Sequence, residues 1–202
     1  MSTPAQTGSA EPGIQRPRTQ SGPRAEAAIL DAAYEILLKQ GLEAATVEAI
    51  AAKAGVSKVT IYKWWPNRAA VIMSAFLRES GDALPYPEDF QLDQVEERLL
   101  RMAESFRGAT GTVVAALIAE GQFDPEIARA FRDGYINTRR LQGVEIVRTA
   151  IESGEIRPAD PDVVLDLLYA PLYFRLTVGH KPLDDDAVRE HVRLVLAALR
   201  PE

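Results

Sequence analysis

At 202 residues, 47% of them apolar, the chain is long enough for one sizeable domain or two small ones with a real core. It holds no cysteine and only two histidines, His180 and His191, which excludes disulfides, cysteine nucleophiles and thiolate metal sites and leaves too few imidazoles for most metal centres. The net charge of −6 argues against a general nucleic-acid coat, and no apolar run approaches the roughly 18 residues of a membrane span, nor does an apolar signal segment open the chain, so a cytoplasmic protein is expected.

Residues 1–22 are rich in Ser, Thr, Gly, Gln and Pro and read as a disordered N-terminal arm, since they cannot bury enough surface to offset ordering entropy. Arg16, Arg18 and Arg24 at its end either reach a minor groove or phosphates, or belong to a solvated tail. Residues 24–40 place Ile29, Leu30, Ala33, Ile36 and Leu37 on one helical face, ending at Gly41. Thr46 then offers an N-cap, with Glu48 in the first turn and Val47, Ile50, Ala51 and Ala54 at spacings of three and four. Gly55 suits a turn through positive φ, Val56 plugs the corner, and Ser57 caps a second short helix. In that helix Val59, Ile61, Trp64 and Trp65 compete for burial, while Lys58, Thr60, Tyr62 and Lys63 face outward. Two short helices joined by a glycine turn, the second armed with polar and basic groups, make a helix-turn-helix. A bare helical hairpin would show the same periodicity.

A further helix over 67–80 carries Ala70, Val71, Ser74, Ala75 and Leu77, before GDALPYPED breaks the pattern. The boundary is placed there: 23–80 as a DNA-binding domain, 81–202 as a helical ligand-binding and dimerisation domain. Beyond it one helix is outlined by Leu92, Val95, Leu99, Leu100, Met102, Ala103 and Phe106, and Val113 to Ala119 forms a short apolar one. Asp124, Pro125 and Glu126 open a third, which runs through Ile127, Phe131, Tyr135, Leu141, Val144, Val147 and Ile151 to Gly154. Asp160, Pro161 and Asp162 open a fourth, apolar nearly all round to Gly179 and interrupted by Pro171, where a kink is expected. The last begins in the run Asp184–Asp186 and aligns Val188, Val192, Val195, Leu196 and Leu199. With no convincing period-two alternation, the fold is all-α.

The pattern AxxxGVSxxTIYxxWxNR, from Ala51 to Arg68, resembles the DNA-binding domain of the TetR family of bacterial transcriptional regulators (TetR/AcrR-like). The resemblance is strong over about residues 24–80 and loose beyond. It implies that Lys58, Val59, Thr60 and Lys63 reach base edges, that Thr46, Ser57, Tyr62 and Arg68 hold phosphates, and that Trp64 packs against the sugar-phosphate backbone, with Trp65 structural. It also implies a homodimer through the last two helices, reading a palindromic operator in double-stranded DNA. Charge agrees: residues 14–70 hold eight Lys or Arg against five Asp or Glu, a surplus of +3 that leaves −9 for the rest, although chance scatter can do the same.

Regulation requires a cavity for a small-molecule effector. Phe106, Leu117, Phe123, Phe131, Tyr135, Tyr169, Tyr173 and Phe174 are the aromatic and apolar candidates, with Arg139 or Arg175 as polar anchors, though most are core by default. The resemblance implies that ligand binding shifts the helix at 67–80 and separates the two recognition helices. His180 reads as a helix cap rather than a switch, the Asp184–Asp186 run as helix N-terminal carboxylates rather than a cation site, and Arg139-Arg140 as a surface pair rather than an anion site. No cofactor fingerprint, metal spacing or nucleophile–base pairing is readable, so an enzyme is disfavoured. The rival is a helical protein-interaction module without specific DNA binding.

Overall fold

The computed structural model describes residues 22–80 and 90–201, and among these it contains helices and no strand. The expected arm, with Arg16 and Arg18, and the break at 81–89 lie outside the described residues. The first unit comprises α1 (Pro23–Gln40), α2 (Val47–Ala54), α3 (Lys58–Tyr62) and α4 (Arg68–Ser80). The second comprises α5 (Val95–Arg107), α6 (Ala109–Glu120), α7 (Pro125–Phe131), α8 (Thr138–Glu152), α9 (Pro161–Val178) and α10 (Asp185–Leu199). No helix among the described residues is long and apolar enough to cross a membrane.

Local chemistry sets the ends of α2 and α3. Thr46 Oγ1 accepts from the Ala49 amide at 3.1 Å, and Ser57 Oγ accepts from the Thr60 amide at 3.2 Å, each satisfying an orphan donor of a first turn. Gly55 sits at φ 67°, and the amide of Val56 returns to the Ala51 carbonyl at 3.0 Å, so the chain reverses within two residues. α1 packs its Ile29, Leu30, Ala33, Ile36 and Leu37 face against α2 and α4, the face read from the sequence.

α4 is the element shared by both units. Its Val71, Ile72, Ala75 and Phe76 are fully buried, and it packs on α1 on one side and α7 on the other. The expected stripe for this helix omitted Ile72 and Phe76, because contact from two sides buries more than one narrow face.

The single long helix expected from Pro125 to Gly154 is three consecutive pieces. Between α7 and α8, residues Arg132–Asn137 adopt π-helical geometry, an extra residue in the turn that side-chain periodicity does not announce. α8 packs on α9, and α10 packs on α5 and α9. The Arg157 amide donates to the Leu199 carbonyl at 2.8 Å, tying the turn after α8 to the end of α10.

α9 divides its apolar residues between two faces. Val164, Leu165, Leu168 and Leu172 are buried, whereas Val163, Leu167, Phe174 and Val178 are about half exposed. Its helical course continues past Pro171 to a left-handed C-cap at Gly179, φ 65°.

Candidate functional site

The surface built by α2 and α3 follows from how short α3 is. Only Ile61 of its five residues is buried, so the others stand out from the body. Val59 is 78% exposed and Tyr62 52%, a high value for an aliphatic and an aromatic side chain on a folded domain. Ser57, Lys58 and Lys63 are exposed beside them, and Thr60 is half-buried with its hydroxyl 2.9 Å from Ser57 Oγ. Thr46 is exposed at the start of α2. The helix N-termini at Thr46 and Ser57 offer backbone donors and positive dipole ends, the groups that hold phosphates.

Lys58 is not idle in this state. Its Nζ donates to the Glu48 carboxylate at 2.8 Å, a hydrogen bond that lowers the Glu48 pKa and raises that of Lys58. Both groups are more than half exposed, so the pair exchanges readily for other partners. Lys53 pairs with Glu35 at 2.9 Å, which suits a solvated side chain rather than a DNA contact.

Behind α3 the two tryptophans separate by role. Trp65 is buried, and its indole donates to Ser74 Oγ at 2.8 Å, pinning the turn to α4. Trp64 is half-buried and meets Trp65 edge-on at 5.6 Å. Asn67 accepts from the Ala70 amide at 2.9 Å and so caps the first turn of α4.

Arg68 makes contacts that its place in the motif does not announce. In the chain without DNA it turns inward: its Nε donates to the Ala45 carbonyl at 3.1 Å, Nη2 donates to the Leu42 carbonyl, and Nη1 lies 3.7 Å from Glu120 and 4.0 Å from Asp124. Those acids sit at the end of α6 and the cap of α7, so Arg68 bolts the first unit to the second.

The second unit contains a cavity of about 70 Å³ between α5, the π-helical segment, α8 and α9. Four of the expected ligand residues line it: Tyr135, Arg139, Tyr169 and Tyr173. Arg98, Met102, Ile136, Arg140 and Leu165 also line it and were not anticipated. Arg98 left a trace in the sequence, since Val95, Arg98 and Met102 share a helical face and an arginine on an apolar stripe signals a special environment.

The remaining aromatic candidates lie elsewhere. Phe131 stacks on Tyr135 at 5.2 Å and Phe106 meets Tyr173 at 5.2 Å, so both back the wall without lining it. Leu117 is core. Phe123 is 89% exposed on the turn before α7, and Phe174 is 55% exposed with His180 against its ring at 4.8 Å; neither can be a cavity residue. Arg175 donates to the Pro182 carbonyl, away from the cavity.

Burial raises the phenol pKa of Tyr135 and raises that of Tyr173 well above its ordinary value, so both act as neutral hydrogen-bonding groups. Arg140 is held by Asp162 at 2.6 Å and Asp166 at 2.7 Å, which separates it in role from Arg139. Gly179 rather than His180 caps α9. Asp184 caps α10 through the Ala187 amide at 2.8 Å, Asp185 pairs with Arg107 at 2.8 Å, and no acidic or histidine cluster among the described residues has the arrangement of a metal site.

Comparison with known proteins places this geometry. Residues 29–74 match the family described as bacterial regulatory proteins, tetR family, and residues 93–195 match the tetracyclin repressor-like C-terminal domain. The chain is 39% identical over 179 residues to YdeS of Bacillus subtilis, named an uncharacterized HTH-type transcriptional regulator, covering 88% of this chain and 89% of that one. It is 28% identical over 183 residues to a DNA-binding transcriptional repressor of Mycobacteroides abscessus, covering 88% and 95%. Among solved structures, a TetR family transcription regulator superposes with a TM-score of 0.72 at 32% identity, covering 88% of this chain and all of that one.

Proposed function

This chain belongs to the TetR family of bacterial DNA-binding transcriptional regulators, and from that premise we propose that it is a dimeric repressor of a palindromic operator, released by a small apolar or aromatic effector. Residues 23–80 are the DNA-binding head and 81–202 the regulatory and dimerisation part. The observation that carries the reading is α3 itself: a capped helix with Val59 78% and Tyr62 52% exposed beside Lys58 and Lys63 has no folding reason to present that surface. Lys58 and Lys63 suit guanine edges, and Val59 and the Thr60 methyl suit thymine methyls. Ser57, Thr46 and Tyr62 hold phosphates, and Trp64 packs on the backbone.

The dimer forms through α9 and α10, where Val163, Leu167, Phe174, Val178 and Leu194 are about half exposed. Two heads related by a two-fold axis meet successive major grooves about 34–36 Å apart. The effector enters the cavity beside Tyr135, and a shift of α4 changes the separation of the two α3 helices. Release requires that the effector bind the non-DNA conformation more tightly.

Selection of bound sequences from a random DNA pool, followed by footprinting, tests the proposal. An inverted repeat is expected. About 6–10 phosphate contacts would cost roughly 10³–10⁵ in affinity between 50 and 200 mM salt. Binding without sequence preference, or a Lys58→Ala, Thr60→Ala, Tyr62→Ala triple variant that binds as well as the parent, would remove it.

A further inference from the structure

The cavity wall contains three arginines and three tyrosines and, among its described lining residues, no carboxylate. Two of those arginines are committed: Arg140 to Asp162 and Asp166, and Arg98 through its Nε to the Tyr169 hydroxyl at 3.1 Å. Arg139 is placed differently. Its Nη1 donates to the Tyr135 carbonyl at 3.1 Å, and its guanidinium carbon lies 3.9 Å from the centre of the Tyr135 ring. Its Nε is buried with no acceptor. A buried donor on a charged group is costly to leave unmet, and few buried polar atoms in a folded protein are.

With one face on a ring and one Nη engaged, the edge of Arg139 left for a partner is the side bearing Nε. That edge presents parallel N–H groups that donate, as a fork, to the two oxygens of a carboxylate. Met102, Ile136 and Leu165 supply apolar wall, and the tyrosines supply flat rings on which an aromatic ligand can pack. The phenols, kept neutral by burial, bring no negative charge to oppose an anion.

We propose that this cavity binds a small aromatic monocarboxylate, its carboxylate on the Nε edge of Arg139 and its ring among Tyr135, Tyr169 and Tyr173. The assignment names the chemical class of the effector and rests on the regulatory reading above. One uncommitted guanidinium edge matches one carboxylate. The cavity, at about 70 Å³, is smaller than the roughly 150 Å³ that accommodates a benzene ring, so a one-ring acid must move the wall to enter. Tyr135 is the wall residue that packs on Phe76 of α4 at 5.0 Å, and it sits on the π-helical segment, an irregular turn of the kind found at functional sites.

Calorimetric titration of the full chain with benzoate, 4-hydroxybenzoate and phenylacetate, each against its primary amide, tests the assignment in the absence of DNA. At least one acid is expected to bind roughly tenfold or more tighter than its amide, a preference lost in Arg139→Met and partly restored in Arg139→Lys. Thermal melts establish which variants are folded; if Arg139→Met is not, the acid–amide comparison on the unaltered protein decides alone. Absence of acid–amide discrimination in all three pairs, or its persistence in folded Arg139→Met, overturns the assignment. Band shifts on the selected operator separate the two claims: acid binding that leaves the DNA complex intact supports the site and counts against the regulatory reading.

Discussion

Phe76 and Tyr135 pack their rings at 5.0 Å, with an interplanar angle of 52°, and they join the helix that follows the helix-turn-helix to the wall of the cavity. Both are fully buried, so neither can move without its partner's surroundings moving. Phe76→Ala should therefore cost about 3–5 kcal/mol of stability, the ordinary range for a buried phenylalanine. Phe76→Leu, which keeps most of the volume, should fold and bind operator but respond more weakly to the effector. Denaturant melts and operator band shifts with and without effector check both halves; an undiminished response in Phe76→Leu would place the coupling elsewhere.

A second packing relation lies at the corner between α5 and α6. A Cβ built on Gly111 would stand 1.8 Å from the carbonyl oxygen and 2.6 Å from the carbonyl carbon of Phe106. Backbone cannot rotate aside as a side chain can, so Gly111→Ala must open the corner. A loss of about 1–3 kcal/mol or more is expected from overpacking, despite the gain in helix propensity that alanine normally brings. Gly134→Ala is the control: its Cβ would meet only Leu77 Cδ1 at 3.5 Å, an ordinary contact. Equal melting temperatures for the two variants would show that the corner yields freely.

Legibility in the sequence followed the range of the interactions. The ends of α2 and α3 were readable because Thr46, Gly55 and Ser57 act within three or four residues of themselves. The inward contacts of Arg68 were not readable because its partners, Leu42, Ala45, Glu120 and Asp124, lie 23 to 56 positions away, and a motif position carries no record of them. Aromatic content did not separate Tyr135, which lines the cavity, from Phe123, which is in solvent. The π-helical turn was invisible since one extra residue within a long apolar pattern leaves the periodicity nearly intact.

Acid pH should expose the ion pairs of Glu35, one along α1 to Lys39 and one across to Lys53 of α2. Glu35 bonds Lys39 and Lys53 at 2.9 Å each, and those hydrogen bonds lower its pKa from 4.5 to about 2. A carboxylate whose folded pKa is depressed contributes stability that is present above its unfolded pKa and lost as pH falls through the folded value. Glu35→Gln should thus melt slightly lower than the parent at pH 7, and the difference should vanish between about pH 4.5 and pH 2. The effect is small because the group is exposed. A constant difference across that window would contradict it.

The half-exposed apolar row on α9 makes its own prediction. Leu167 and Phe174 lie seven residues apart, two turns along one face of the helix, and each is about half exposed in the single chain. Leu167→Glu with Phe174→Glu should leave the fold intact, since neither side chain is buried within the chain. Sedimentation should then report the monomer mass, and operator affinity should fall steeply because one head alone loses the second half-site. A double variant that still sediments as a dimer would remove α9 from the interface.

Glu48 is placed where it competes with DNA for Lys58. Its carboxylate receives the Lys58 ammonium at 2.8 Å, and both groups are more than half exposed on the surface that faces the duplex in the proposed complex. A phosphate or a guanine edge approaching Lys58 must displace that carboxylate, and the displaced charge stays close to the DNA and repels it. Glu48→Gln removes the repulsion and frees the ammonium, so operator affinity should rise several-fold. The salt dependence should steepen, by about 0.9 in the logarithmic slope if Lys58 then neutralises one phosphate. If Lys58 instead reads a base, affinity should still rise, with the slope little changed and the gain confined to operators that keep that base. Made on a Lys58→Met background, Glu48→Gln should keep only the smaller part of the gain that comes from removing the carboxylate's own repulsion of the DNA. Fluorescence anisotropy over a salt series checks these outcomes. Equal affinity for Glu48→Gln and the parent at every salt concentration would mean that Glu48 neither competes with the duplex for Lys58 nor lies near it.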